Sequence, residues 1–217
     1  MNCFLITTYN RSEACRQLVE KLNGDIYILS DGSDYDWIDD YNVYFKVQKH
    51  KGKRLYTETV NDLFKMPVKE YDYYFIIQDD LLPVPGFERK AKEVWRDIPE
   101  KICLMTYVDQ GRLNKPCWTK FEPIEFKNYR QTQWVDMCAF MCQKEFFTAL
   151  GEIPHSKLNW DIRPDLSSGV GSLISSHLHE KGYKIFQTLK SLFISQDVES
   201  QMNNWRDKDN LINKAVL

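Results

Sequence analysis

Four short apolar runs, each closing on a cluster of polar residues, restrict this chain more than any other feature. They are Cys3–Thr7, Ile26–Ser30, Val43–Val47 and Tyr73–Ile77. Each is rich in β-branched and aromatic residues and is the length of a buried strand. Helix-period segments separate them. Ser12–Asn23 places Cys15, Leu18, Val19 and Leu22 on one face, with Gly24 as a stop. Arg54–Met66 places Leu55, Thr59, Leu63 and Phe64 on one stripe and is ended by Pro67. Strands alternating with helices predict right-handed crossovers and a mostly parallel sheet. The expected fold class is therefore α/β: a single Rossmann-like domain around a mostly parallel central sheet.

The pattern continues with a helix over Phe87–Arg96 and a fifth strand over Ile102–Tyr107. Beyond it the chain is less regular. Trp118–Phe126 and Gln133–Met137 read as strands at the far side of the sheet, and Lys144–Leu150 as a short helix. Gly171–Lys181 reads as a helix stopped by Gly182, and Tyr183–Gln187 and Leu192–Ser195 as late short strands. The expected division is a first half over 1–107, an irregular second half over 108–200, and a polar tail or lid over 201–217.

Ligands of open parallel sheets bind beyond the carboxyl ends of the strands, so the residues just past each run matter most. Thr8-Tyr9-Asn10-Arg11 comes after the first, and Asp31-Gly32-Ser33 after the second. The basic loop Lys49-His50-Lys51-Gly52-Lys53-Arg54 comes after the third, and Gln78-Asp79-Asp80 after the fourth. These sets are expected to meet on one rim. An aromatic plane at Tyr9 can cover a base. Asp31 can accept a base or ribose proton. Lys53 and Arg54 can offset phosphate charge. Two carboxylates ending an apolar strand are costly unless something compensates them. A hard divalent cation held by one or two carboxylates and ligand phosphates is a common solution. Taken singly, TYNR also serves as strand-to-helix punctuation with Asn10 or Ser12 as cap, and DGS is a turn sequence.

Charge and cysteine usage exclude several classes. With 29 Lys+Arg against 31 Asp+Glu, the net charge is −2, which argues against stable nucleic-acid binding. No apolar run approaches the roughly 20 residues of a membrane-spanning helix, and the first residues do not read as a signal peptide. The six cysteines form no CxxC pair and read as reduced, mostly buried thiols of a cytoplasmic protein. Cys138 and Cys142, four apart, are ordinary core candidates before they are metal ligands.

FLITTYNR, SDGSD and FIIQDD, in that order, resemble the nucleotide-sugar half of GT-A glycosyltransferases, especially the family 2 type. SSGVGSLISSHLHEKGYKIF and SLFISQDVESQMN resemble the C-terminal part of small viral and phage-like members, which would place the chain in a host cytoplasm. The resemblance implies a GT-A-like domain passing a sugar from a nucleotide-sugar donor, most often UDP-linked, to a glycan or other hydroxyl acceptor. It implies that Thr8, Tyr9 and Arg11 line the nucleotide pocket and that Asp31 binds the base. Asp79 would lie near ribose and metal, and Asp80 would ligate Mn2+ or Mg2+. Two departures stand out. The family's acidic triplet usually opens with Asp where this chain has Gln78, and Gln196 stands where a late His is frequent. The expectation is therefore either weak metal affinity or metal independence.

Inverting transfer needs a carboxylate that takes the acceptor proton as oxygen attacks C1 of the sugar. That base must face the leaving group from the other side, so it belongs to the second half. Asp136, Asp161 and Asp165 are the candidates. Asp165, just before Ser-Ser-Gly-Val-Gly, lies near where family 2 enzymes carry an acidic base, and Asp161 is four residues earlier. Asp136 can instead bind acceptor hydroxyls, and Trp118, Trp134 and Trp160 can stack on sugar faces. Ser33 of the glycine turn joins the donor set. Ser167, Ser168, Gly169 and Gly171 are expected to shape a close-approach loop. The alternatives are a nucleotidyltransferase, disfavoured because no glycine-rich loop comes after the first strand, and a non-catalytic nucleotide- or carbohydrate-binding module.

Overall fold

The computed structural model describes residues 1–108, 124–158 and 168–196. In chain order the elements are β1 (Asn2–Thr8), α1 (Ser12–Val19), β2 (Asp25–Asp31), β3 (Val43–Gln48), α2 (Tyr56–Phe64), β4 (Tyr73–Gln78), β5 (Leu81–Pro83), α3 (Phe87–Asp97) and β6 (Lys101–Met105). After these come β7 (Ile124–Glu125), β8 (Tyr129–Thr132), β9 (Ala139–Cys142), α4 (Lys144–Leu150), α5 (Val170–Glu180), β10 (Lys184–Thr188) and β11 (Phe193–Ser195).

Among the described residues, nine strands form one sheet in the order β3-β2-β1-β4-β9-β6-β10-β8-β7, and β5 pairs with β11 in a separate ribbon. β3, β2, β1 and β4 are all parallel. The reason is local: β1 and β4 are apolar on both faces, and such strands survive only where helices cover both sides. On one side Cys15, Leu18 and Val19 of α1 pack with Phe87, Ala91 and Trp95 of α3. On the other, Val60 and Leu63 of α2 pack with Phe146 and Leu150 of α4 and with Ile174 and Leu178 of α5. No helix among the described residues is long and apolar enough to cross a membrane.

The structure departs from the expected order in the second half. Residues 133–138 are not a strand. The strand is β9, one step later, antiparallel to both β4 and β6 and inserted between them. All four of its residues are buried. The alternation in Gln133–Met137 suggests a half-exposed strand, but that segment is pinned instead by α5. The Val135 N–H donates to Ser175 Oγ at 2.8 Å, and the Ser175 hydroxyl donates to the Gly171 carbonyl at 2.6 Å. The ribbon strand β5 has no counterpart among the expected elements, because a three-residue run ending in proline carries no periodicity. The helix expected over Arg54–Met66 begins instead with a 3-10 turn at Lys53–Leu55. Most of the expected strand Trp118–Phe126 and all of the 201–217 tail lie outside the described residues. The five described cysteines are free thiols.

Candidate active site

The register of the parallel strands puts the predicted clusters side by side. Thr8 pairs with Ser30 across β1 and β2, and Thr7 pairs with Gln78 across β1 and β4. The polar residues just beyond these pairs therefore emerge on the carboxyl rim of adjacent strands.

Asp79 is the centre of this rim and is only 4% exposed. Its Oδ2 accepts the Thr8 hydroxyl at 2.7 Å, and its Oδ1 accepts the Arg11 guanidinium at 2.9 Å. Thr8 has a single hydroxyl proton, so the Tyr35 hydroxyl must be the donor in their 2.6 Å contact. The Tyr35 oxygen in turn accepts the Arg11 backbone N–H at 3.3 Å. Donation therefore runs from Arg11 through Tyr35 and Thr8 to the carboxylate, and each bond polarises the next. Sequence reasoning missed Tyr35; it lies in the polar stretch between β2 and β3, where nothing local marks it as a site residue.

Asp80 shares the same cation. Its Oδ2 lies 2.8 Å from Arg11 Nη1, and its side chain is 18% exposed against 5% for Asp79. The pair sits at the junction of β4 and the ribbon strand β5. The Gln196 N–H donates to the Asp80 carbonyl at 2.7 Å. The Gln196 amide donates to the carbonyls of Ala14 at 3.1 Å and Asp79 at 3.3 Å. Gln196 thus lies in the expected region, but its NH2 group holds backbone rather than pointing at a ligand.

Asp31, also buried, is held by the loop after β3. Oδ1 accepts the Lys51 N–H at 2.7 Å and the Gln48 amide at 3.0 Å. Oδ2 accepts the Gly52 N–H at 2.9 Å and faces His50 Nδ1 at 3.0 Å. One carboxylate therefore organises the whole turn 48–52. His50, placed in this way, stacks on Tyr9 with ring centroids 4.4 Å apart and planes at 16°. Gly32 makes room for it: at φ +102 only glycine is comfortable, and an added Cβ would lie 2.9 Å from His50 Cβ. Ser33 closes the rim by accepting the Asn10 N–H at 3.1 Å and donating to Asn10 Oδ1. Asn10 itself is left-handed at φ 52, a conformation Asn tolerates better than most residues. The N-cap of α1 is Arg11, not Asn10 or Ser12, and Ser12 Oγ instead accepts the Trp37 indole at 2.8 Å.

The basic loop divides. Lys51 is committed to Asp62 at 2.7 Å and Glu58 at 3.3 Å on α2. Lys53 and Arg54 sit on the 3-10 turn that leads into α2. On the other flank of β4 the Gln78 N–H donates to the Cys138 carbonyl at 2.8 Å, which brings 136–138 beside the acidic strand end. Asp136 Oδ1 accepts the Cys138 N–H at 3.1 Å, and Trp134 lies in the same half-buried stretch. Asp161, Asp165, Trp160 and Trp118 lie outside the described residues. The close approach made by Gly171 is to the Val135 backbone. His179 Nε2 contacts the Gln133 carbonyl at 2.8 Å, and neither it nor His177 enters the rim set.

Burial pushes the Asp79 carboxyl up to about 6, against the downward pull of Arg11 and the Thr8 bond. An unfolded aspartate titrates near 3.9. Between about pH 4 and 6 the folded chain therefore holds a proton that the unfolded chain has lost, so this group makes stability fall as pH rises through that window and level off above it. Urea midpoints from pH 4 to 7 are expected to show a steeper fall in the wild type than in Asp79→Asn. Parallel curves would contradict this assignment.

No family model matches the sequence, and no curated protein matches it. Solved structures do. The mannosyltransferase PcManGT from Pyrobaculum calidifontis, in complex with GDP-Man and Mn2+, superimposes with a TM-score of 0.61 at 14% identity, over 96% of this chain and 60% of its own. GalNAc-T7 with UDP, GalNAc and Mn2+ superimposes with a TM-score of 0.54 at 12% identity, over 87% of this chain and 42% of its own. This chain thus spans less than two thirds of either neighbour's own length. The likeness is one of fold: the domain is GT-A-like, built on a mixed, mostly parallel sheet.

Proposed function

We propose that this protein transfers a glycosyl group from a nucleoside-diphosphate sugar to an acceptor hydroxyl. One observation carries the reading: the Thr8–Asp79–Arg11–Asp80 cluster closes the carboxyl end of β4 beside the stacked Tyr9 and His50 and the turn that Asp31 holds. That rim offers an aromatic platform for a base at one end and charge for a diphosphate at the other. Both structural neighbours were solved with a nucleotide or nucleotide sugar and Mn2+, and a UDP-linked donor is what the sequence resemblance implies.

In this reading Tyr9 and His50 receive the base, and Asp31 acts through the loop it positions. Ser33 keeps the two rim loops in register. Arg11, Lys53 and Arg54 supply positive charge toward the diphosphate. The acceptor oxygen attacks C1 of the sugar, the bond from C1 to the diphosphate oxygen breaks with inversion, and Asp165 or Asp161 takes the acceptor proton. Asp136, Trp134 and Trp160 contact the acceptor.

The acidic pair fits a divalent cation in part. Both Asp79 oxygens are engaged by Thr8 and Arg11, whereas Asp80 is the more exposed of the two. No group of three ligating side chains occurs among the described residues. Asp80 would hold Mn2+ or Mg2+ with the remaining positions filled by diphosphate oxygens and water, a mode such hard cations accept. When bound, the ion neutralises charge on the leaving diphosphate.

The test is a thermal-shift and product-release screen. UDP with Mn2+ is expected to raise the melting temperature by several degrees, since a ligand at about 100 times its Kd adds about 2.7 kcal/mol. UDP-sugars are expected to release UDP when acceptor is present, with GDP and GDP-mannose as the comparison. Failure of every nucleotide to stabilise the fold would remove the reading.

A further inference from the structure

Arg11 is one cation between two anions. Its guanidinium reaches Asp79 at 2.9 Å and Asp80 at 2.8 Å, and its side chain is only 14% exposed. Its backbone is fixed at the start of α1, through the Tyr35 hydroxyl at 3.3 Å and the bond from Cys15 N–H to its carbonyl at 2.9 Å. The long side chain can pivot on that anchor. A free divalent ion approaching Asp80 meets a positive charge already in place. It must sit beside the guanidinium, against like-charge repulsion, or displace it from two carboxylates. A diphosphate alters the balance, because its oxygens match the planar fork and can take the guanidinium bidentately.

We propose that Arg11 is an internal counter-cation: it closes the acidic pair to free metal ions and yields Asp80 only to a metal that arrives with a diphosphate. The inference rests on the nucleotide-sugar reading and adds to it that Arg11 couples the two ligands. The guanidinium keeps Asp79 paired and exchanges its Asp80 contact for phosphate oxygens. Metal and nucleotide then bind with strong mutual enhancement, each raising the other's affinity by the same factor.

The experiment measures free Mn2+ by electron paramagnetic resonance in titrations with and without UDP. The wild type is expected to bind Mn2+ weakly alone and much more tightly with UDP. Arg11→Gln is expected to bind Mn2+ alone about tenfold more tightly, by relief of one like charge at close range, and to lose a similar factor from the enhancement by UDP. Where Arg11→Gln does not fold, Asp79→Asn is compared with Asp79→Asn/Arg11→Gln, in which no charged Asp79 is left unpaired; the same gain on removing Arg11 is expected. Unchanged Mn2+ affinity on removing Arg11, in a protein that still binds UDP with Mn2+, overturns the role of Arg11 alone. A wild type that binds no UDP under any condition overturns the nucleotide-sugar reading itself.

Discussion

On the glycosyl-transfer reading proposed above, Asp80→Asn is expected to lower sugar transfer, measured as kcat/KM from UDP release, by about 10²–10³-fold, the scale of losing one preorganised electrostatic group, because the cation that Asp80 would hold offsets charge on the leaving diphosphate. The substitution keeps the shape of the side chain and sheds its charge, so packing is not the variable. Stability should change little. Asp80 is partly open to solvent, and Arg11 retains Asp79 as a partner, so a cost of about 1 kcal/mol is the scale. Activity and melting temperature should therefore separate. Donor hydrolysis without acceptor should fall with transfer, because both break the same bond at C1. A variant with full transfer and an undiminished metal requirement would dismiss Asp80 from the site.

Gly171→Ala should damage the fold more than any other glycine substitution near the rim. An added Cβ would lie 2.3 Å from the Val135 carbonyl oxygen and 4.0 Å from Asp136 Cα. Those contacts are backbone, so no side chain can rotate away. Either α5 retreats or the segment 133–138 moves. Overpacking of this kind costs about 3 kcal/mol, which for a domain of this size is a drop in melting temperature of roughly 6–12 °C. Gly182→Ala is the control. It meets nothing within 4 Å and carries only the strain of φ +80, worth roughly 1–2 kcal/mol. On the proposed reading the consequence reaches function, because Val135 lies between Trp134 and Asp136, which that reading assigns to the acceptor. A folded Gly171→Ala protein should therefore show weakened acceptor binding with donor binding retained. Equal melting temperatures for the two alanine variants would mean that the helix and this segment are not in such close contact.

Different parts of the site were legible for different reasons. Thr8, Tyr9, Arg11, Asp31, Asp79 and Asp80 could be nominated because each stands at or just past the end of an apolar run that had to be a buried strand. The ends of parallel strands share one rim whatever the details of packing. His50 was visible only as one member of a basic loop. Its stacking on Tyr9 depends on a turn built by Asp31, 19 residues away. Tyr35 carried no signal, and neither did the backbone role of Gln196. Gln196 meets the Asp79 carbonyl from 117 residues away, and no window of sequence contains both. Strand β9 begins two residues beyond Gln133–Met137, the stretch that the hydrophobic alternation marks. Four residues, Ala-Phe-Met-Cys, are too few for a period to show, and the antiparallel pairing that buries them on both sides is made with β4 and β6, both distant in sequence.

The sequence by itself determined which residues stand at the strand ends, since hydrophobic period and turn chemistry act over a few residues and need no distant partner. Tertiary structure alone decided how those residues divide their bonds: Arg11 shared between two carboxylates, Asp31 committed to a loop, Gln196 to backbone. A hydrogen bond is fixed by distances of about 3 Å, and only the packed sheet brings groups from across the chain that close.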